Sequence, residues 1–238
     1  QRTDQKERLV SGLRLDLQSA NNLPAEVPAN PDFPELLPAI RFDGGGAGVE
    51  WNDLSPRVGV SYALDEARRT VVRASYARYA GQLSSLDGSW DSPVSSVSYL
   101  QYYWDDRNGD RVPQRDEVLT DAGVYYAWNI DPADPGSASA VNRIDRDYRA
   151  QHDWEALVGF ERELFPNFAV SVAYTYRKTT DIAWLPRNGV TRRDYTRSAT
   201  VTETTPLGAF TGTAFGADPS KVQPGRTLAN QPDYYRRF

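Results

Sequence analysis

The stretch Asn167-Phe168-Ala169-Val170-Ser171-Val172-Ala173-Tyr174-Thr175-Tyr176-Arg177-Lys178 decides the fold. Phe168, Val170, Val172, Tyr174 and Tyr176 take alternate positions, with Asn167, Ser171, Thr175 and Arg177 between them. A period of two places the two sets on opposite faces of an extended strand; a helix would scatter them around its circumference. Aromatic and β-branched side chains suit pleated backbone. Just upstream, Phe165-Pro166-Asn167 has the composition of a tight turn. Before it, Trp154, Ala156, Val158 and Phe160 alternate with Asp153, Glu155, Gly159 and Glu161. Residues 153–163 and 167–178 are therefore expected to form a hairpin.

Working outward, three more segments show the same period. In residues 8–17, Leu9, Leu13, Leu15 and Leu17 oppose Arg8, Arg14 and Asp16. In residues 56–64, Val58, Val60, Tyr62 and Leu64 oppose Arg57, Gly59, Ser61 and Ala63. In residues 70–79, Val72, Ala74 and Tyr76 oppose Arg73, Ser75 and Ala77. Alternation alone fits a soluble sandwich with a wet outer face, and equally a membrane barrel with a wet lumen. The connections discriminate. Residues 65–69 and 165–167 are tight, whereas 18–55, 80–152 and 179–233 are long and rich in Gly, Pro, Asn, Asp and Ser. Strict exchange of short and long links is the rule of outer-membrane barrels, with periplasmic turns and extracellular loops. Trp51, Tyr76, Tyr79, Trp154, Tyr174 and Tyr176 lie towards strand ends, where interfacial aromatic belts form.

The expected fold is all-β: antiparallel up-and-down strands from a transmembrane β-barrel, incomplete, with long extracellular loops. Residues 1–238 are read as part of one barrel domain. Five strands fall short of the roughly eight that a bacterial barrel needs, and the sequence contains no Met. Both suggest a segment of a longer protein, with 233–238 opening a further strand.

Composition narrows the chemistry. There is no Cys and a single His, His152, which disfavours disulfides, thiolate metal sites and His-based triads. No run approaches the ~20 apolar residues of a membrane helix, and mean hydropathy is −0.62. Barrel strands, apolar on one face only, tolerate such an average. A net charge of −5 without a basic face argues against nucleic acid. Glu155, Glu161 and Glu163 share a strand face and read as lumen-lining charges rather than an acid/base pair, so no enzyme activity is expected. His152, beside Trp154, reads as an interfacial residue.

One loop carries a ligand pattern. Asp106-Arg107-Asn108-Gly109-Asp110-Arg111-Val112-Pro113-Gln114-Arg115-Asp116-Glu117 has the spacing of a twelve-residue calcium loop. Asp106, Asn108, Asp110, Gln114 and Glu117 would offer side-chain oxygens, and Val112 a backbone carbonyl. Arg111 stands where the sharp turn normally takes Gly, which is a departure from the pattern. The competing reading is an acidic, turn-rich surface loop. Gly44 to Gly48 and the prolines at 24, 28, 31, 34 and 38 read as flexible or extended loop. Tyr99, Tyr102, Tyr103, Trp104, Tyr125, Tyr126 and Trp128 read as a loop core in preference to a stacking platform.

The hairpin Trp51-Asn52-Asp53-Leu54-Ser55-Pro56-Arg57-Val58-Gly59-Val60-Ser61-Tyr62 with Thr70-Val71-Val72-Arg73-Ala74-Ser75-Tyr76-Ala77-Arg78-Tyr79 resembles the barrel of TonB-dependent outer-membrane receptors, closest to the Oar-like branch. The segment Glu155-Ala156-Leu157-Val158-Gly159-Phe160-Glu161-Arg162-Glu163-Leu164, followed by residues 168–178, resembles the next hairpin. The resemblance implies a receptor or transporter in the bacterial outer membrane, with loops that bind or gate an external ligand. Its implied partners are outer-membrane lipid, that ligand, and TonB through a plug and TonB box in the parent protein, for which this chain has no counterpart. A surface-structural or adhesion role, and a soluble all-β carbohydrate-binding module, are the alternatives.

Overall fold

A computed structural model of the chain describes residues 7–94 and 97–232. In chain order the strands are β1 (Glu7–Asn22), β2 (Ala25–Val27), β3 (Ile40–Phe42), β4 (Gly45–Ala63) and β5 (Thr70–Ala80). A single-turn helix α1 (Ser85–Gly88) follows, then β6 (Tyr99–Tyr102), β7 (Val124–Trp128), β8 (Arg143–Ile144), β9 (His152–Phe165) and β10 (Phe168–Thr180). The last are β11 (Ala183–Trp184), β12 (Tyr195–Thr205), β13 (Gly208–Ala217) and β14 (Thr227–Asn230).

The main sheet has the order β1-β4-β5-β9-β10, antiparallel throughout. This is the expected up-and-down order, and among the described residues the sheet is open, with β1 and β10 as its edges. Each turn has its own chemistry. Between β4 and β5, the Asp65 carboxylate accepts the Arg69 amide at 2.9 Å, and Leu64 N donates to Thr70 O. The Arg69 amide contact, ahead of the Thr70 hydroxyl, holds the Asp65 carboxyl below its ordinary range. Between β9 and β10, Pro166 presets one φ and Asn167 takes φ 65°, a conformation Asn tolerates better than most residues. Asn167 thus belongs to the turn and not to the strand expected over 167–178. The Phe165 and Phe168 rings stack across the turn at 4.8 Å.

Many short stretches expected to be loop are strand, and three stretches form long ladders. β1 runs on to Asn22, and β4 begins at Gly45, where residues 18–55 were read as one loop. The Gly-rich start of β4 is extended and paired, Asn22 with Gly45 and Asn21 with Gly46, across a register shift after Ser19. Gly48 at φ 66° gives the irregular backbone its freedom. These residues lack alternation, so pairing with β1, not local pattern, makes them strand. In the third stretch, residues 179–233 contain the hairpin β12–β13, closed over Pro206 and Leu207. Residues 233–238, expected to open a further strand, lie outside the described residues.

The buried core is not under the sheet. Val49, Trp51, Tyr148, Ala150 and Leu228 form it, with Ala80, Leu83, Trp90 and Ile144 packed around them. All lie at the end of the sheet where the long connections emerge. There the connections bind each other. Arg115 Nε donates to Asp32 O, Trp90 Nε1 to Arg226 O, and Asn188 Nδ2 to Val141 O. β14 pairs with β11 and, in parallel over two residues, with β8. The long connections thus form one ordered cap.

Candidate functional site: an exposed apolar sheet face and its capped end

Register aligns the alternation across all five strands of the main sheet. Leu9 pairs with Val60, Val60 with Ala74, Ala74 with Val158, and Val158 with Tyr174. A second row runs Val72, Phe160, Val172. Paired residues share a face, so one side of the sheet is continuously apolar. It is also uncovered: Leu9 is 71% exposed, Leu17 69%, Val172 69% and Tyr174 69%. In water such a surface costs about 25 cal/mol per Å². In hydrocarbon it costs nothing. Leu9 to Leu17 and Phe168 to Tyr176 each span nine residues, which matches the length of a tilted transmembrane strand.

The opposite face is polar and internally paired. Arg73 meets Glu161 at 3.3 Å, Arg177 meets Glu155 at 2.5 Å, and Thr179 Oγ1 donates to Asp153 at 2.5 Å. Arg57 lies over the Tyr79 ring at 4.6 Å. Asp153, Glu155 and Glu161 of β9 therefore have cations or hydroxyls on neighbouring strands.

A family model for an outer membrane beta barrel domain matches residues 4–223. The chain belongs to that family. No curated protein and no solved structure matches it. Its apolar face is the lipid-facing side of an outer-membrane barrel domain, and its polar face the lumenal side.

At its capped end the barrel domain holds a buried polar cluster. His152, 5% exposed, opens β9 and sits between two carboxylates. Its Nε2 lies 2.7 Å from Asp53 Oδ1 of β4, and its Nδ1 lies 2.9 Å from Asp181 Oδ2 just beyond β10. Each ring nitrogen therefore faces a carboxylate oxygen across a hydrogen bond. Arg78 reaches Asp53 at 3.5 Å, donates to Leu54 O and stacks on Trp154. Arg149 pairs with Asp181 at 2.9 Å. Burial opposes ionisation of Asp181, but hydrogen bonds from His152, Thr180 and Arg149 together outweigh it and hold the carboxyl below its ordinary range. This corrects the interfacial reading of His152. One residue ties β4, β9 and the end of β10 together. Asp53 and Asp181 stand far from His152 in the sequence, and only the sheet register brings them to it.

The loop 106–117 is folded upon itself. The Asp106 carboxylate accepts the amides of Gly109 (2.8 Å) and Arg111 (3.2 Å), Asn108 Oδ1 that of Asp110, and Asp110 Oδ1 that of Val112. The Val112 contact in particular lowers the Asp110 pKa. Gln114 donates to Asp110 at 2.8 Å and accepts from Asn108 at 2.9 Å. Glu117 is buried at 2% exposure and accepts the amides of Arg107 and Gln114. Arg111 adopts φ 62°, so the left-handed turn forms without Gly at that position. The flanks are the bridged pair Trp104 and Val118, not helices. Among the described residues no group of three or more His, Cys, Asp or Glu side chains is placed to hold a metal ion.

The loop aromatics pack on each other. Tyr103 meets Tyr125 at 5.0 Å, Tyr99 meets Tyr126 at 5.9 Å, and Trp128 meets Trp90 at 5.8 Å. Tyr102 and Trp104 instead line a small cavity with Phe33, Leu36, Leu37 and Val118.

Proposed function

We propose that the barrel domain is part of a TonB-dependent, Oar-like outer-membrane receptor or transporter, with the capped end outside the cell and its loops binding or gating an external ligand. The observation that carries this reading is the ordered cap. Every long connection of the main sheet gathers at one end, opposite the tight turns after β4 and β9, and is held there by inter-loop hydrogen bonds and a buried core. Loops that only linked strands would need no core of their own. The chemistry proposed is binding and passage, not catalysis. TonB would engage a plug and TonB box elsewhere in the parent protein. Uptake of the ligand should vanish when TonB is deleted. Uptake or attachment unchanged by that deletion would favour the adhesion role.

Calcium is the proposed ion for the loop 106–117. Asp106, Asn108, Asp110, Gln114 and Glu117 are already linked within it, and Val112 follows at the seventh position. Calcium would stiffen the cap. Calorimetric titration of the folded protein should give saturable heat at millimolar calcium or below, lost in Asp110→Asn/Glu117→Gln. A flat titration removes the ion from the proposal.

A further inference from the structure

The lipid-facing side changes character on approach to the cap. Along β5 the outward residues run Val72, Ala74, Tyr76 and then Arg78. Along β10 they run Val172, Tyr174, Tyr176 and then Lys178. Between them β9 ends its outward apolar run at Trp154, which pairs with both Arg78 and Lys178 in register. A Tyr level is thus followed by a cation–Trp–cation row on the outer wall of the sheet. That is the order a membrane boundary requires, hydrocarbon, then aromatic belt, then charged headgroup.

A cavity of about 530 Å³ opens at this row. Arg78, Arg149, Lys178 and Trp154 line it, together with Glu50, Asp53, Asp181 and His152. The acids are mostly committed. Asp53 and Asp181 are buried and bonded to His152, and only Glu50 is exposed. Two cations are exposed: Arg149, 66% exposed and held at one side by Asp181, and Lys178, which has no hydrogen-bond or ion-pair partner among the described residues. Arg78 lies over the Trp154 ring at 5.1 Å. The exposed chemistry is therefore ammonium and guanidinium beside the half-buried Trp154, which suits a phosphate carried on a sugar ring.

We propose that this cavity binds the phosphorylated saccharide headgroup of a glycolipid in the outer leaflet, with Lys178 and Arg149 on phosphate and Trp154 against the sugar. The lipid source follows from position: the row lies on the lipid-facing wall, directly beyond the apolar band, where a headgroup is anchored by its own chains. The inference rests on the capped end facing outward.

The test uses the full-length protein extracted from outer membranes in mild detergent, with bacterial lipopolysaccharide as the probe and heat-modifiable gel mobility as the check of folding. The wild type should retain lipopolysaccharide through purification. Lys178→Gln/Arg149→Gln should retain about tenfold less, the loss of two charge-assisted contacts, and Lys178→Arg/Arg149→Lys should retain it. Should the double variant fail to fold, Lys178→Gln alone, at an exposed residue without a partner, serves and should lower retention severalfold. Unchanged retention in the folded variants overturns the proposal, as does equal retention of enzymatically dephosphorylated lipopolysaccharide. Displacement by millimolar inorganic phosphate would show a free-anion site and overturn the lipid assignment. An epitope inserted after Gly123, probed with antibody on intact cells, separates the two readings. An inaccessible epitope sinks the orientation; an accessible one with unaltered variant binding sinks the glycolipid site alone.

Discussion

The band and the cap of this domain obey opposite solvent rules. In the band, large apolar side chains are exposed, from Leu9 at 71% and Val172 at 69% on the edge strands to Val60 at 41% and Phe160 at 40% in the middle, and the charged ones face each other on the inner wall. In the cap, Trp51 and Tyr148 are buried edge-to-face at 5.5 Å, with the indole N–H donating to Tyr148 O, as in a water-soluble core. One strand serves both regimes. β4 presents Val58 and Val60 to lipid and, nine residues earlier, buries Val49 and Trp51 beneath the loops. The difference teaches that burial cannot identify a core here; the solvent assigned to each stretch must come first.

The sharpest way to break the comparison is Trp51→Ala, which should cost about 3–5 kcal/mol, but only in the cap. Limited proteolysis should cut within residues 81–151 while the folded gel mobility of the band persists. Loss of both together would show that the two regions are one cooperative unit. Next, Val172→Arg should destabilise the band by about 2–4 kcal/mol in lipid vesicles. Ala173→Arg, one residue along and facing the lumen, should cost much less; urea unfolding in vesicles measures both. Asn167→Ala should cost about 1 kcal/mol, because Ala lacks the tolerance of Asn for a left-handed φ, and should leave the cap untouched. The smallest effect is on pH. Asp181 is held below its ordinary value of 3.8. Its contribution is fully present above that value and fades as pH falls through its lower folded pKa. Protease resistance of the cap should therefore be flat down to about pH 4 and decline below it. A decline beginning near neutral pH would contradict the assignment.

How much of this was legible differs between the same two regions. The band could be read because its strands alternate cleanly: the period of Phe168 to Tyr176 survives intact in the structure. The hairpin β12–β13 escaped notice because its faces differ too little. Thr200, Thr202, Thr211 and Thr213 lie on one side, and Val201, Phe210, Gly212 and Ala214 on the other. The available signal was two Thr-rich, β-branched runs on either side of Pro206-Leu207-Gly208. The cap was harder still, since its contacts join distant residues. Nothing local in His152 announces Asp53 or Asp181. Its backbone at Gly45 to Gly48 becomes strand through a partner, against local propensity. The loop 106–117 was legible as a unit, because side chains two apart organise their own backbone.

The pairing of β5 with β9 has a consequence for how the domain assembles. Its two strands are adjacent in space, yet residues 81–151 separate them, so closing the middle of the sheet must first overcome the entropy of a very long loop. The cap shortens that search. Gly81 N bonds to Gln151 O at the loop's base, Gln18 grips both Gly81 and Leu83, and Tyr148 lodges against Trp51 from the already adjacent β4. The cap's base acts as a splint that brings His152 to Ala80, after which β9 can zip along β5 towards the turn. Variation at the loop tip, around residues 105–117, should then leave assembly speed nearly unaffected, whereas damage at the base should slow every strand that follows.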